Sequence, residues 1–287
     1  MKNKRKINST GVGLGLHARR ILAYVVLIIV SFFCLFWFYV LFVNATRSNS
    51  NLQSGFSVLP SSNLLSNWKH LLEKSGLPVI QGMLNSLIIS TCSAVVCVYF
   101  STMTAYAIHV YNFKLKNVMF TFILMIMMIP TQVTMIPLFV IMNNLGLINT
   151  YPSVILPSLF RAFAVFMLVQ QMRGIPNDYI EAAELDGAGL FRIYRTVVLP
   201  LSGSAIATLT ITTFMESWND YLWPLLMLND KNKMTLTLAL NSLNGQYGTE
   251  YNILMAGSLL SMIPIVVIYA LAQKYFKEGL MAGGVKG

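Results

Sequence analysis

Six stretches of mostly apolar residues, at 21–43, 87–110, 118–142, 151–169, 205–228 and 253–273, recur along this chain. A helix needs roughly 20 such residues to cross the hydrocarbon core of a bilayer. This pattern constrains the fold more than any other feature, because a segment in lipid must satisfy its own backbone hydrogen bonds. The predicted fold class is an all-α membrane protein with six transmembrane helices. Composition agrees: only 10% of residues are charged and 56% are hydrophobic, whereas soluble domains carry about 25% charged residues. A water-facing surface cannot be built from this chain, so lipid is its solvent. The first stretch is longer than the apolar part of a cleavable signal and reads as a retained anchor.

Orientation follows from the basic residues. Six Lys or Arg precede the first stretch, two lie in 111–117, three in 171–199 and three after Gln273, against five on the opposite side and Arg161 within a span. Basic residues accumulate on the cytoplasmic side, so both termini are predicted to be cytoplasmic. The expected organisation is a basic tail over 1–20, a first anchor over 21–43, an external segment over 44–84, a five-span core over 85–276 and a short tail over 277–287. The net charge of +10 sits in short blocks beside apolar runs rather than along one face, which argues against a nucleic-acid partner. Cys34, Cys92 and Cys97 all lie in apolar stretches and read as small buried hydrophobes without metal-ligand spacing.

The segment 171–199 has a pattern of its own. Pro176 closes the preceding element. Asp178 and Glu181 stand at capping-box spacing and place acidic groups where a helix dipole favours them. Gly187 and Gly189 break that helix and permit a tight turn. A second short helix follows, with Phe191, Tyr194 and Val198 on one face and Arg192 and Arg195 on another, before Pro200 opens the next span. The outcome is a helix–turn–helix between spans four and five. Such a hairpin can rest on lipid headgroups, and its Ala-rich, Gly-rich surface also admits the backbone of another protein.

The string Glu181-Ala182-Ala183, then Asp186-Gly187-Ala188-Gly189, with Leu199-Pro200 beyond, resembles the EAA loop of ABC importer permeases. Within them it is similar to the carbohydrate-uptake group, which includes the second maltose permease subunit. Asn85-Ser86-Leu87, Ile129-Pro130, Ile136-Pro137-Leu138-Phe139, Leu145-Gly146-Leu147, Asn149-Thr150-Tyr151, Trp218-Asn219-Asp220, Leu222-Trp223-Pro224-Leu225 and the Gly279-to-Gly287 tail support the resemblance. It runs from about Asn85 to the C-terminus. The resemblance implies a subunit forming half of a sugar translocation pathway in the bacterial inner membrane, beside a second permease subunit. It also implies two copies of a separate ATPase and an extracytoplasmic sugar-binding protein. Glu181, Ala182, Ala183, Asp186, Gly187, Ala188 and Gly189 would couple to the ATPase, which would hold the ATP and magnesium; this chain itself would bind no cofactor. The resemblance further points to Gly245, Gln246, Tyr247 and Gly248 as a contact with the binding protein. No G-x-x-x-x-G-K-[ST] phosphate loop occurs in the chain.

Charges at membrane depth cost about 2.5–3.5 kcal/mol on insertion scales, so Arg161 requires a partner, and Glu216 and Asp220 are the candidates. Together with Gln132 and Asn219 they form the candidate pathway lining; a structural ion pair is the alternative. Thr131, Gln132 and Thr134, between Pro130 and Pro137, sit where a bent helix is expected. Trp223 reads as an anchor or packing residue. Two rival functions remain. An ion-driven secondary transporter could use Glu216 and Asp220 but leaves the Glu181–Gly189 loop without a role. Within the importer reading, glycerol phosphate or another polar solute could be the cargo. A membrane enzyme ranks last, because no H-E-x-x-H or G-x-S-x-G motif occurs.

Overall fold

The computed structural model describes residues 10–74, 76–243 and 250–284, and every element among them is helical. Among the described residues three helices are long and apolar enough to cross a membrane alone. Three bent helix pairs raise the number to six if each pair is one span. The chain divides into two compact units, residues 1–69 with 250–259 and residues 70–249 with 260–287.

The first unit is built on α1 (Thr10–Ala45), whose membrane-length stretch His17–Ala45 buries none of its most apolar window against protein. A helix that is apolar all round and uncovered is stable only in lipid. Beyond it come α2 (Asn49–Gln53) and α3 (Leu64–Lys69). Asn67 organises this unit. Its amide donates to the carbonyls of Ala45 (2.8 Å) and Arg47 (2.9 Å), and its oxygen accepts from Asn252 (2.8 Å). Asn252 and Tyr251 open the last helix, and Trp68 donates to the Ala256 carbonyl at 3.0 Å.

The second unit centres on α4 (Val79–Val110), which starts eight residues before the apolar stretch at 87 because its first turns carry polar side chains. One face of α4 buries Ser86, Ser90, Ser93, Ala94, Cys97, Ser101 and Ala105. Small residues repeating every three or four positions let helices approach closely where no hydrophobic effect drives them together. α8 (Ala162–Met172) and α12 (Gly203–Asn219) pack against α4, and Leu168, Met172, Ile193, Val198 and Leu209 fill the space between.

Three expected spans are broken. The stretch at 118–142 divides into α5 (Lys116–Met127) and α6 (Thr131–Asn144), inclined at 102°. Pro130 caps α6 in an extended conformation, lacks an N–H and restrains Ile129 before it. Twelve residues rise only about 18 Å, so α5 alone does not span the hydrocarbon. The stretch from 151 runs as α7 (Tyr151–Ile155), a 3₁₀ turn (Leu156–Phe160) and α8, with a 40° bend at Arg161. The stretch at 205–228 ends as a helix at Asn219, and α13 (Leu222–Met227) follows a break at Asp220–Tyr221.

Candidate functional site

Between α8 and α12 the chain forms the expected hairpin: α9 (Asp178–Leu185), α10 (Leu190–Ile193), a π-helical turn (Tyr194–Val198) and α11 (Leu199–Leu201). The capping box does not form. Asn177 takes the N-cap position in a helical conformation without a side-chain bond, which places Asp178 inside the first turn rather than ahead of it. Asp178 and Glu181 therefore meet the N-terminal dipole only through space. The far end of α9 closes as a Schellman motif: Gly187 N donates to Glu184 O (2.9 Å) and Ala188 N to Ala183 O (3.0 Å). Gly187 sits at φ +74°, the left-handed region that glycine enters without a Cβ penalty.

The hairpin has a buried side and an open one. Ile180, Ile193, Tyr194 and Val198 are buried, while Leu185 is 89% exposed and Tyr179 and Phe191 are also exposed. Phe191 thus departs from the apolar face expected of it: the π-helical widening after Ile193 rotates the register, and Ile193 enters the core instead. Two hydrogen bonds tie this segment to α4. Tyr106 donates its hydroxyl to the Leu190 carbonyl at 2.9 Å, and Thr102 shares a 2.7 Å bond with the Tyr194 hydroxyl. Glu181, Ala182, Asp186, Gly187 and Gly189 are open to solvent; Ala183 and Ala188 are half-buried against the core. Thr102 and Tyr106 went unnoticed in the sequence, where only their four-residue separation, on one helix face, marks them.

A second feature lies among α5, α6, α8, α12 and α13, where a cavity of about 840 Å³ is lined by Thr131, Gln132, Thr134, Arg161, Glu216 and Asp220, with hydroxyl-bearing and apolar residues around them. Arg161 stands at the break before α8 and pairs with Glu216 through its Nη1. Arg161 and Asp220 both sit where a helix is interrupted, and both have extended backbone. Asn219 does not line this space; its amide donates back to the Met215 carbonyl at 2.9 Å. Trp223 is buried and donates to the Ser153 carbonyl at 3.0 Å, and Trp218 stacks on Phe214. Among the described residues no group of three or more His, Cys, Asp or Glu is placed to hold a metal ion. Gly245, Gln246, Tyr247 and Gly248 lie outside the described residues.

The family described as binding-protein-dependent transport system inner membrane component matches residues 98–281, which include the whole hairpin and the whole cavity lining. The chain belongs to this family. It is a multi-pass component of an inner membrane transport system. The arabinooligosaccharides transport system permease protein AraQ of Halalkalibacterium halodurans is 38% identical over 84% of this chain and 86% of its own length. The corresponding protein of Bacillus subtilis is 40% identical over 71% and 72%. The sn-glycerol-3-phosphate transport system permease protein UgpE of Yersinia pestis is 33% identical over 91% and 95%. Among solved structures, a chain of a bacterial ABC transporter involved in import of the acidic polysaccharide alginate superposes with a TM-score of 0.78. It is 23% identical and aligns over 95% of this chain and all of its own. That likeness shows a shared fold.

Proposed function

We propose that this chain is one of two membrane-spanning subunits of an ATP-driven, binding-protein-dependent importer of a sugar or oligosaccharide. Family membership over residues 98–281 carries the proposal, and the two relatives named for arabinooligosaccharide transport favour the sugar. In this reading the chain crosses the membrane six times, through three straight helices and three interrupted stretches (α5–α6, α7–α8 and α12–α13), with both termini cytoplasmic. The hairpin Asp178–Val198 lies on the cytoplasmic side. Its exposed stretch Glu181–Gly189 enters a cleft on one of two copies of a separate ATPase, where ATP and magnesium are held. The bonds of Tyr106 and Tyr194 then pass the displacement of the hairpin to α4 as a rigid-body movement, the kind of two-state coupling that alternates access. Gly245–Gly248 reach the extracytoplasmic binding protein.

Glycerol phosphate is the second reading, supported by the UgpE relatives. The charge of the cavity argues against it. Arg161, Glu216 and Asp220 are the charged residues on its wall, and Arg161 is already paired. A phosphate monoester would meet one neutralised cation and a further carboxylate, whereas an anion site needs an excess of donors and positive charge. A neutral polyol meets hydroxyls, amides and carboxylates that can accept and donate bonds. Uptake into sealed vesicles holding the assembled importer and its binding protein tests the proposal. Accumulation of a neutral oligosaccharide should require ATP inside and survive collapse of all ion gradients. Uptake that follows the ion gradient and ignores ATP would refute it, and preference for the phosphate ester would select the second reading.

A further inference from the structure

The chain leaves α1 at Thr46 and returns to the same residue. Ser61 N donates to Thr46 Oγ1 at 2.8 Å, and Asn63 N donates to the Thr46 carbonyl at 2.9 Å. The intervening residues form a closed loop of the Ω type, with α2 in its outgoing limb and a reversal at Gly55, φ +128°. The returning limb does not stay at the level of Thr46. The Tyr39 hydroxyl donates to the Val58 carbonyl at 2.7 Å, and Tyr39 lies six residues before the end of α1. At 1.5 Å per residue that is about 9 Å back along the helix toward the membrane interior. The bond therefore holds the loop tip beside a segment of α1 that is itself uncovered and apolar.

The tip is built for that depth. Phe56 is 70% exposed, Leu59 73% and Val58 47%, so three large apolar side chains point away from the protein. Residues 48–68 contain no Asp, Glu, Lys, Arg or His. Part of the tip's backbone is engaged internally, Val58 O by Tyr39 and Leu59 N by the Ser57 hydroxyl at 3.1 Å, and Pro60 has no N–H to satisfy. Unsatisfied backbone is what excludes most loops from lipid, and tyrosine and tryptophan mark the headgroup level. We infer that Phe56–Leu59 is an interfacial membrane wedge, a loop tip seated in the leaflet at the C-terminal end of α1, with acyl chains as its partner. Under the proposed topology this is the outer leaflet. The inference rests on membrane insertion of α1 and is independent of cargo and of ATPase coupling.

Spin labels at F56C and L59C test it in the full chain reconstituted in phosphatidylethanolamine–phosphatidylglycerol vesicles, with Cys34, Cys92 and Cys97 replaced by Ala; Q53C, on the solvent-exposed outgoing limb, is the reference. The wedge requires fast collision of both tip labels with oxygen and slow collision with a water-soluble nickel chelate, the ratio exceeding that at Gln53 several-fold. Tyr39→Phe should lower the ratio at both tip positions by releasing the Val58 carbonyl. Free access of the nickel chelate to the tip would overturn the inference in favour of a water-exposed loop. Exclusion of both colliders would overturn it in favour of a protein partner. If F56C does not insert, L59C reports the same environment.

Discussion

Single polar side chains do disproportionate work in a molecule with so few charged ones. Asn85 is fully buried. Its amide donates to the carbonyls of Asn232 (2.8 Å) and Met234 (2.9 Å), and its oxygen accepts from Gln81 and from the Tyr151 hydroxyl (2.8 Å). Asn85→Ala removes four part-buried hydrogen bonds, each worth about 0.5–1.5 kcal/mol. Thermal unfolding in detergent should fall by several degrees, and Tyr151→Phe should fall by less because it removes one bond. The Arg161–Glu216 pair behaves differently. Glu216 is largely exposed, and such pairs contribute only about 0–1 kcal/mol to stability. Arg161→Ala and Glu216→Ala should unfold within a few degrees of the parent while slowing solute uptake in vesicles. Strong destabilisation by either would assign the pair to structure rather than to the pathway. If direct pairing matters for uptake, the charge-swapped double variant recovers part of it.

At the scale of elements, the hairpin depends on one turn and two tethers. Gly187 has open space where a Cβ would point, so Gly187→Ala suffers no clash and costs only the left-handed backbone penalty, about 1–2 kcal/mol. Gly187→Pro is more severe, since its φ is fixed near −65° and the N–H that bonds Glu184 is lost. The expected outcome is a protein that still inserts in the membrane and still assembles, with ATP hydrolysis no longer linked to uptake. Normal transport by this variant removes the coupling role from the turn. Tyr106→Phe releases the Leu190 carbonyl without changing the packed ring. It should cost about 1 kcal/mol and raise the number of ATP molecules hydrolysed per solute imported. The helix of the hairpin was legible in sequence because dipole, glycine and apolar spacing are local signals. Its capping was not: Asn177 and Asp178 are both good caps, and Asn177 takes the N-cap position without a side-chain bond.

The whole molecule presents two uncoated regions that must lie on opposite sides of the bilayer if the six-span topology holds. Leu185, at the tip of the hairpin, and Asn63, beside the first anchor, are the reporters. With the native cysteines removed, a membrane-impermeant maleimide added to intact cells should label N63C and spare L185C, and permeabilisation should expose L185C. Labelling of L185C from outside would place the hairpin where no cytoplasmic ATPase can reach it. The bent pairs carry the other large-scale consequence. Two of the bent pairs, broken at 128–130 and at Arg161, and the interruption of the helix at Asp220 leave backbone that lipid cannot tolerate unless it faces protein or water, and the cavity touches all three places; the third bent pair turns by 78° at Ser202, away from the cavity lining.

Sequence alone determined that lipid is the solvent, where the apolar stretches lie, and that a glycine-hinged helical hairpin separates two of them. Hydropathy and turn chemistry are written within a few neighbouring residues, so they are readable without a fold. Tertiary structure alone decided which stretches stay straight. It also chose Glu216 over Asp220 as the partner of Arg161, joined Tyr106 to Leu190, and drew the tip at Phe56–Leu59 back toward Tyr39. These outcomes depend on groups 19 to 84 residues apart in the chain, and such groups find one another only once the helices have packed.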